Sequence, residues 1–152
     1  MQIIACGNPG RGDDAAGWRV AERLRELGLE ALGVGIKRCT GDATALLREL
    51  PGDGDIILLD AVMTGAAPGT IHHWDGIPPF QIRKPSSTHA LGVAEALKLA
   101  MSLGRLPKSL QVFGIEAEQF ELGSPLSPRV KQATEDLAQR IQTSIQAEQA
   151  VR

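Results

Sequence analysis

The chain has 152 residues, 43% hydrophobic and 22% charged, which is enough to bury the core of one globular domain. Its formal net charge of −2 lacks the basic surplus with which nucleic-acid-binding proteins neutralise phosphates. No run of about eighteen apolar residues could span a bilayer, and the start "MQIIACGN" has none of the parts of a signal peptide, so a cytoplasmic protein without membrane or nucleic-acid partners is expected.

A first strand is expected at 2–6, "QIIAC", a short apolar run stopped by Gly7. The turn "GNPGRGDD" (7–14) leads into a helix over 13–27, with Ala16, Val20, Leu24 and Leu27 on one face and Gly28 as its C-cap. A second strand follows at 34–39, "VGIKRC", and a short helix at 42–50 stops at Pro51-Gly52. The run "DIILLDAV" (55–62) is the most hydrophobic strand, and continuous apolarity marks a strand covered on both faces. "GTIHHWD" (69–75) reads as an edge strand and the proline-rich stretch 76–87 as a loop. A helix is expected over 88–104, capped by Ser87 or Thr88 and closed by Gly104. The last strand is placed at 110–117, "LQVFGIEA". The closing helix, 126–146, has Ser127 as N-cap, Pro128 in its first turn and an apolar stripe of Val130, Ala133, Leu137, Ile141 and Ile145.

This alternation predicts a single α/β domain over 1–152. It is a three-layer sandwich with a mainly parallel twisted sheet of about five strands flanked by helices, phosphorylase/hydrolase-like in outline. Sheets of this kind bind ligands outside the carboxyl ends of their strands. The residues expected there are Asn8, Asp13 and Asp14 after the first strand, Thr40, Gly41 and Asp42 after the second, Asp60 at the end of the third, and His89 ahead of the long helix.

Asp13 suits a helix cap, because a carboxylate is stabilised by the unpaired N–H groups and positive dipole end there. One cap needs one acid, which leaves Asp14 for another use. Asp60 closes the run "IILL", where a carboxylate is expected to be partly buried and therefore paired or metal-bound. His89 alone reads as a polar helix start. Taken together, Asp14, Asp60 and His89 make a divalent-cation site suited to Zn, Ni, Co or Mn, with coordination positions left open. His72 and His73 alternate to opposite strand faces and read as structural or surface residues. Cys6 and Cys39 have no CxxC partner and read as small buried apolar residues of a reducing compartment.

The glycine-rich turn fits no phosphate cradle. It lacks the Lys-Ser/Thr of a P-loop and the GxGxxG spacing of a dinucleotide site, and its acids would repel phosphate. "GNPG" also resembles peptidyl-tRNA hydrolases, a weaker alternative, but the histidine that follows the turn in that family is replaced here by "DDAAGW".

Four blocks in order, "GNPGRGDDAAGWRVAERL", "DIILLDAVMTGAAPGTIHHWD", "SSTHALGVAEAL" and "VFGIEAEQFELGSPLSPRVKQA", make the chain similar to the hydrogenase maturation proteases. The resemblance implies an aspartic-type endopeptidase that removes the C-terminal extension from the large-subunit precursor of a nickel–iron hydrogenase. It implies that Asp14, Asp60 and His89 act as both catalytic and metal-binding residues. The nickel would belong to the substrate, although other divalent metals could occupy the site, and no tightly held cofactor and a monomeric state are expected. Cys39 stands where the family commonly has an acid, with Asp42 the nearest carboxylate to replace it, and Ala117 stands where proline is common. A non-catalytic, metal-binding maturation factor is the alternative of a different class.

Overall fold

The computed structural model describes residues 1–40, 42–79 and 92–151. In chain order the elements are β1 Gln2–Cys6, α1 Ala16–Glu26, β2 Gly35–Cys39, α2 Ala43–Glu49, β3 Asp55–Val62, β4 Ile71–Asp75, α3 Val93–Ser102, β5 Ser109–Glu116 and α4 Pro128–Val151. Short 3₁₀ turns at Gly12–Ala15 and Leu29–Leu32 flank α1.

The sheet order is β2-β1-β3-β5-β4, with β4 antiparallel at one edge and the other four strands parallel. β3 lies at the centre, and its burial is continuous from Ile56 to Val62, as its apolar run predicts. Side chains alternate between the two faces. Ile57, Leu59 and Ala61 join the core formed with α1 and α4, while Ile56 and Leu58 join the core formed with α2 and α3. The α4 stripe is buried as expected from its spacing. Arg19 and Arg23 on α1 reach Glu135 on α4 at 3.1 and 2.9 Å, so the two helices are also tied at their outer edge.

Several boundaries differ from the sequence reading. The helix expected at 13–27 opens as a 3₁₀ turn, and α1 begins only at Ala16. The helix expected at 88–104 begins at Val93. Gly92 is extended and its N–H donates to Glu95 Oε2, a cap made by the helix's own first turn. The expected caps Ser87 and Thr88 lie outside the described residues. α4 runs to Val151, beyond the expected 146.

α2 and α3 both descend from the carboxyl end of the sheet. Their C-terminal ends meet at Arg105, which donates to the carbonyls of Leu47 and Leu50. The start of α3 is therefore at the carboxyl rim. On the other face, α1 is pressed onto the ends of β1 and β3, since a β-carbon at Gly17 would lie 2.8 Å from the Cys6 carbonyl oxygen and 3.0 Å from that of Leu59. Gly17→Ala should therefore lower stability by about 1–3 kcal/mol through overpacking, although alanine favours a helix over glycine by about 1 kcal/mol. Urea unfolding would measure this, and a rise in the midpoint would refute the close packing.

Candidate active site

The rim is built around the turn 7–14. Gly7 sits so close to the turn's far end that a β-carbon there would overlap the Asp14 carbonyl oxygen, which also accepts from the Asn8 N–H at 3.3 Å. Gly12 lies against the side-chain amide of Gln119 and has a φ of +53°, a backbone conformation that favours glycine. Arg11 bridges to Leu122, and the Gly123 N–H donates to the Gly10 carbonyl at 2.9 Å. Gly7 thus lets the turn close on itself, and Gly12 lets it lie against the segment after β5.

Asp13 does not cap α1. Neither the 3₁₀ turn nor α1 has a side-chain cap. Asp13 is fully buried, and its carboxylate accepts from the N–H groups of Glu118, Gln119 and Ser127 and from the Ser127 hydroxyl, at 2.7–3.2 Å. Such saturation is what allows a carboxylate to be buried without a cationic partner. Ser127 keeps the expected place directly ahead of α4, its carbonyl accepting from the Lys131 N–H at 2.8 Å, while its hydroxyl is given to Asp13. The segment after β5 is thereby locked onto the turn after β1.

With Asp13 turned inward to this lock, the next residue, Asp14, is carried to the rim just ahead of α1, where it is 7% exposed. Asp60 is 6% exposed near the end of β3. It alternates with Ile56 and Leu58, so its side chain belongs to the face covered by α2 and α3. Two of the three expected site residues are therefore buried acids at one end of the sheet. His89 lies outside the described residues. Among the described residues no group of three or more His, Cys, Asp or Glu could hold a metal ion.

The second strand end holds Cys39, and its Sγ is 3.3 Å from Sγ of Cys6. The Cys39 carbonyl accepts from the Gly7 N–H at 3.2 Å and from Trp18 Nε1 at 3.0 Å. Asp42 caps α2, its Oδ1 accepting from the Thr44 N–H at 2.9 Å.

A further buried acid escaped the sequence reading. Glu116, at the end of β5, is 1% exposed and accepts from the Thr64 N–H at 2.8 Å and the Thr64 hydroxyl at 2.6 Å, with His72 Nε2 at 3.1 Å. It carries the same signal as Asp60, an acid ending an apolar run. His72 also stacks on Trp74, and His73 stacks on Phe113 on the opposite face, so the two histidines serve separate layers as expected.

The family model described as hydrogenase maturation protease matches residues 40–144. The hydrogenase expression/formation protein HoxM of Azotobacter vinelandii is 30% identical, over 91% of this chain and 72% of its own length. The chain belongs to the hydrogenase maturation protease family. It is accordingly a peptidase. Among solved structures, the [NiFe] hydrogenase maturation protease HybD from Thermococcus kodakarensis is 27% identical, with a TM-score of 0.71 over 93% of this chain and 96% of that one. The hydrogenase maturating endopeptidase HybD from E. coli has the same fold, with a TM-score of 0.76 at 24% identity over 97% of this chain and 94% of its own.

Asp13 should matter to this family member through stability. Asp13→Ala leaves four donors without their acceptor, and each buried orphan costs about 1–3 kcal/mol. A loss of at least about 3 kcal/mol in urea unfolding is expected. Unfolding unchanged from the wild type would show that the lock is not needed.

Proposed function

We propose that the chain cleaves the C-terminal extension from a nickel-loaded hydrogenase large-subunit precursor, and that Asp14, Asp60 and His89 recognise the substrate's nickel. The observation that carries the proposal is the pair of buried carboxylates, Asp14 and Asp60, contributed by two separate elements to one rim of the sheet. The chain also enters α3 at that rim, four residues after His89 in sequence.

Carboxylate oxygens and an imidazole suit nickel, and three protein ligands leave positions for donors the substrate already supplies. Recognition then depends on nickel having been inserted, which makes the metal a checkpoint on maturation. Nickel held between the two proteins would polarise the scissile carbonyl or activate a water beside it. The net charge of −2 suits a cationic centre on the partner better than a polyanion.

The test uses a purified large-subunit precursor, with and without nickel, and intact-mass detection of the released peptide. Cleavage should require nickel. His89→Ala and Asp60→Asn should each slow it by about 10²-fold or more, with thermal unfolding close to that of the wild type. Wild-type rates in either variant would reject the nickel clamp, and nickel binding without any released peptide would favour a holding factor. Cys39→Ser should still process the precursor. Complete loss there would instead assign the thiol to the chemistry.

A further inference from the structure

Cys39 and Cys6 are the nucleophilic side chains that the proposed chemistry leaves unused. They are direct partners in the parallel register of β1 and β2, each the last residue of its strand. Paired residues on neighbouring strands have Cα atoms about 4.8 Å apart, inside the range of about 4.4–6.8 Å that a disulfide accepts. Both are thiols, and their sulfurs are 3.3 Å apart with one S–H directed at the other sulfur.

We propose that Cys6 and Cys39 form a reversible redox site whose closure to a disulfide displaces the turn holding Asp14. The oxidant is a peroxide, small enough for a pair that is 1% and 7% exposed. Cys39, the more exposed, attacks one peroxide oxygen. The O–O bond breaks, the thiol proton leaves with the first water, and Cys39 becomes a sulfenic acid. Cys6 sulfur then attacks the Cys39 sulfur, the S–O bond breaks, and the second water departs with the Cys6 proton. Two thiols and one hydrogen peroxide give one disulfide and two waters.

Closure has a direct mechanical consequence. The sulfurs must approach by more than about 1 Å to reach the S–S length of about 2.05 Å. The Cys39 carbonyl holds both the Gly7 N–H and the Trp18 indole. Gly7 abuts the Asp14 carbonyl, and Asn8 donates to it. Movement at Cys39 therefore reaches the backbone of Asp14 through two short links. On the other side, Ala5 pairs with Leu59, so Cys6 comes level with Asp60, on the same face of the sheet. The pair lies beside both rim carboxylates.

Reduced protein treated with a few equivalents of hydrogen peroxide should lose about 2 Da in intact mass. Non-reducing digestion should link the peptides holding residues 6 and 39, and dithiothreitol should reverse both changes. Amide hydrogen exchange of residues 7–14 should quicken in the oxidised form. Cys6→Ala and Cys39→Ala, two independent variants, should show neither the cross-link nor the change in exchange. A gain of oxygen atoms in place of the loss of hydrogen, two thiols still alkylated after unfolding, or a cross-link that leaves exchange at 7–14 unaltered would each overturn the proposal.

The effect on catalysis rests on the function proposed above. Oxidised protein should process the nickel-loaded precursor about 10²-fold more slowly, as expected for a site displaced by about 1 Å, and Cys6→Ala should be insensitive to peroxide. If the reduced wild type cleaves no nickel-loaded precursor, the proposed substrate is rejected, while mass and exchange still decide the redox site.

Discussion

The buried carboxylate of Asp13 is the interaction on which the rim depends. Its donors come from residues 118–127, more than a hundred positions away in sequence, and it gathers them onto the turn that follows the first strand. Burying an ionised group without compensation is prohibitive, so the lock forms only when both segments have arrived. Once formed, it determines where Asp14 stands and where α4 begins, since the Ser127 bound by Asp13 immediately precedes the helix. Gly12 belongs to the same device, since it lies against Gln119 of the second segment, while Gly7 lets the turn fold back onto Asp14.

The alternation of β3 supplies the other half of the arrangement. Odd residues from 57 to 61 meet α1 and α4, while Ile56 and Leu58 meet α2 and α3. Asp60 therefore sits on the face that α3 covers, and α3 starts at the rim because its far end is held against α2 by Arg105. A register slip of one residue in β3 would send Asp60 to the opposite layer. The apolar demand of both cores prevents that slip, so the position of a polar residue is determined by the hydrophobic ones around it.

Much of this was legible in the sequence, for definite reasons. β3 was bounded correctly because a buried strand reads as one apolar run between polar ends, and the stripe of α4 because helical spacing repeats over many turns. Asp14 and Asp60 stood out as acids at strand ends, and both are buried there. Local reasoning failed where the partner is distant. Asp13 looked like a cap for the next helix, since it stands where capping residues belong, yet its carboxylate binds Ser127 and the segment after β5. The Cys6–Cys39 contact depends on strand register, which neither strand reveals alone. Glu116 was the one miss with a local signal, an acid ending an apolar strand, and the rule that selected Asp60 would have selected it.

Four carboxylates are buried among the described residues, Asp13, Asp14, Asp60 and Glu116, and all lie at the carboxyl end of the sheet. Two of them tie the rim together. Asp13 accepts four hydrogen bonds, and Glu116 is held by Thr64 and His72, so each joins one segment of the rim to another. In both, protein N–H, O–H or imidazole groups take the place of water around the carboxylate and tie one loop to another. The rim is thus cross-linked by hydrogen bonds through Asp13 and Glu116. A site meant to receive a metal already bound to another protein has particular need of such cross-links. It must present its oxygens at nearly the right separation before the metal arrives, because the substrate fixes the rest of the coordination sphere and little adjustment remains. On the proposed reading, Asp13 and Glu116 hold the frame in which Asp14 and Asp60 would meet the substrate's metal.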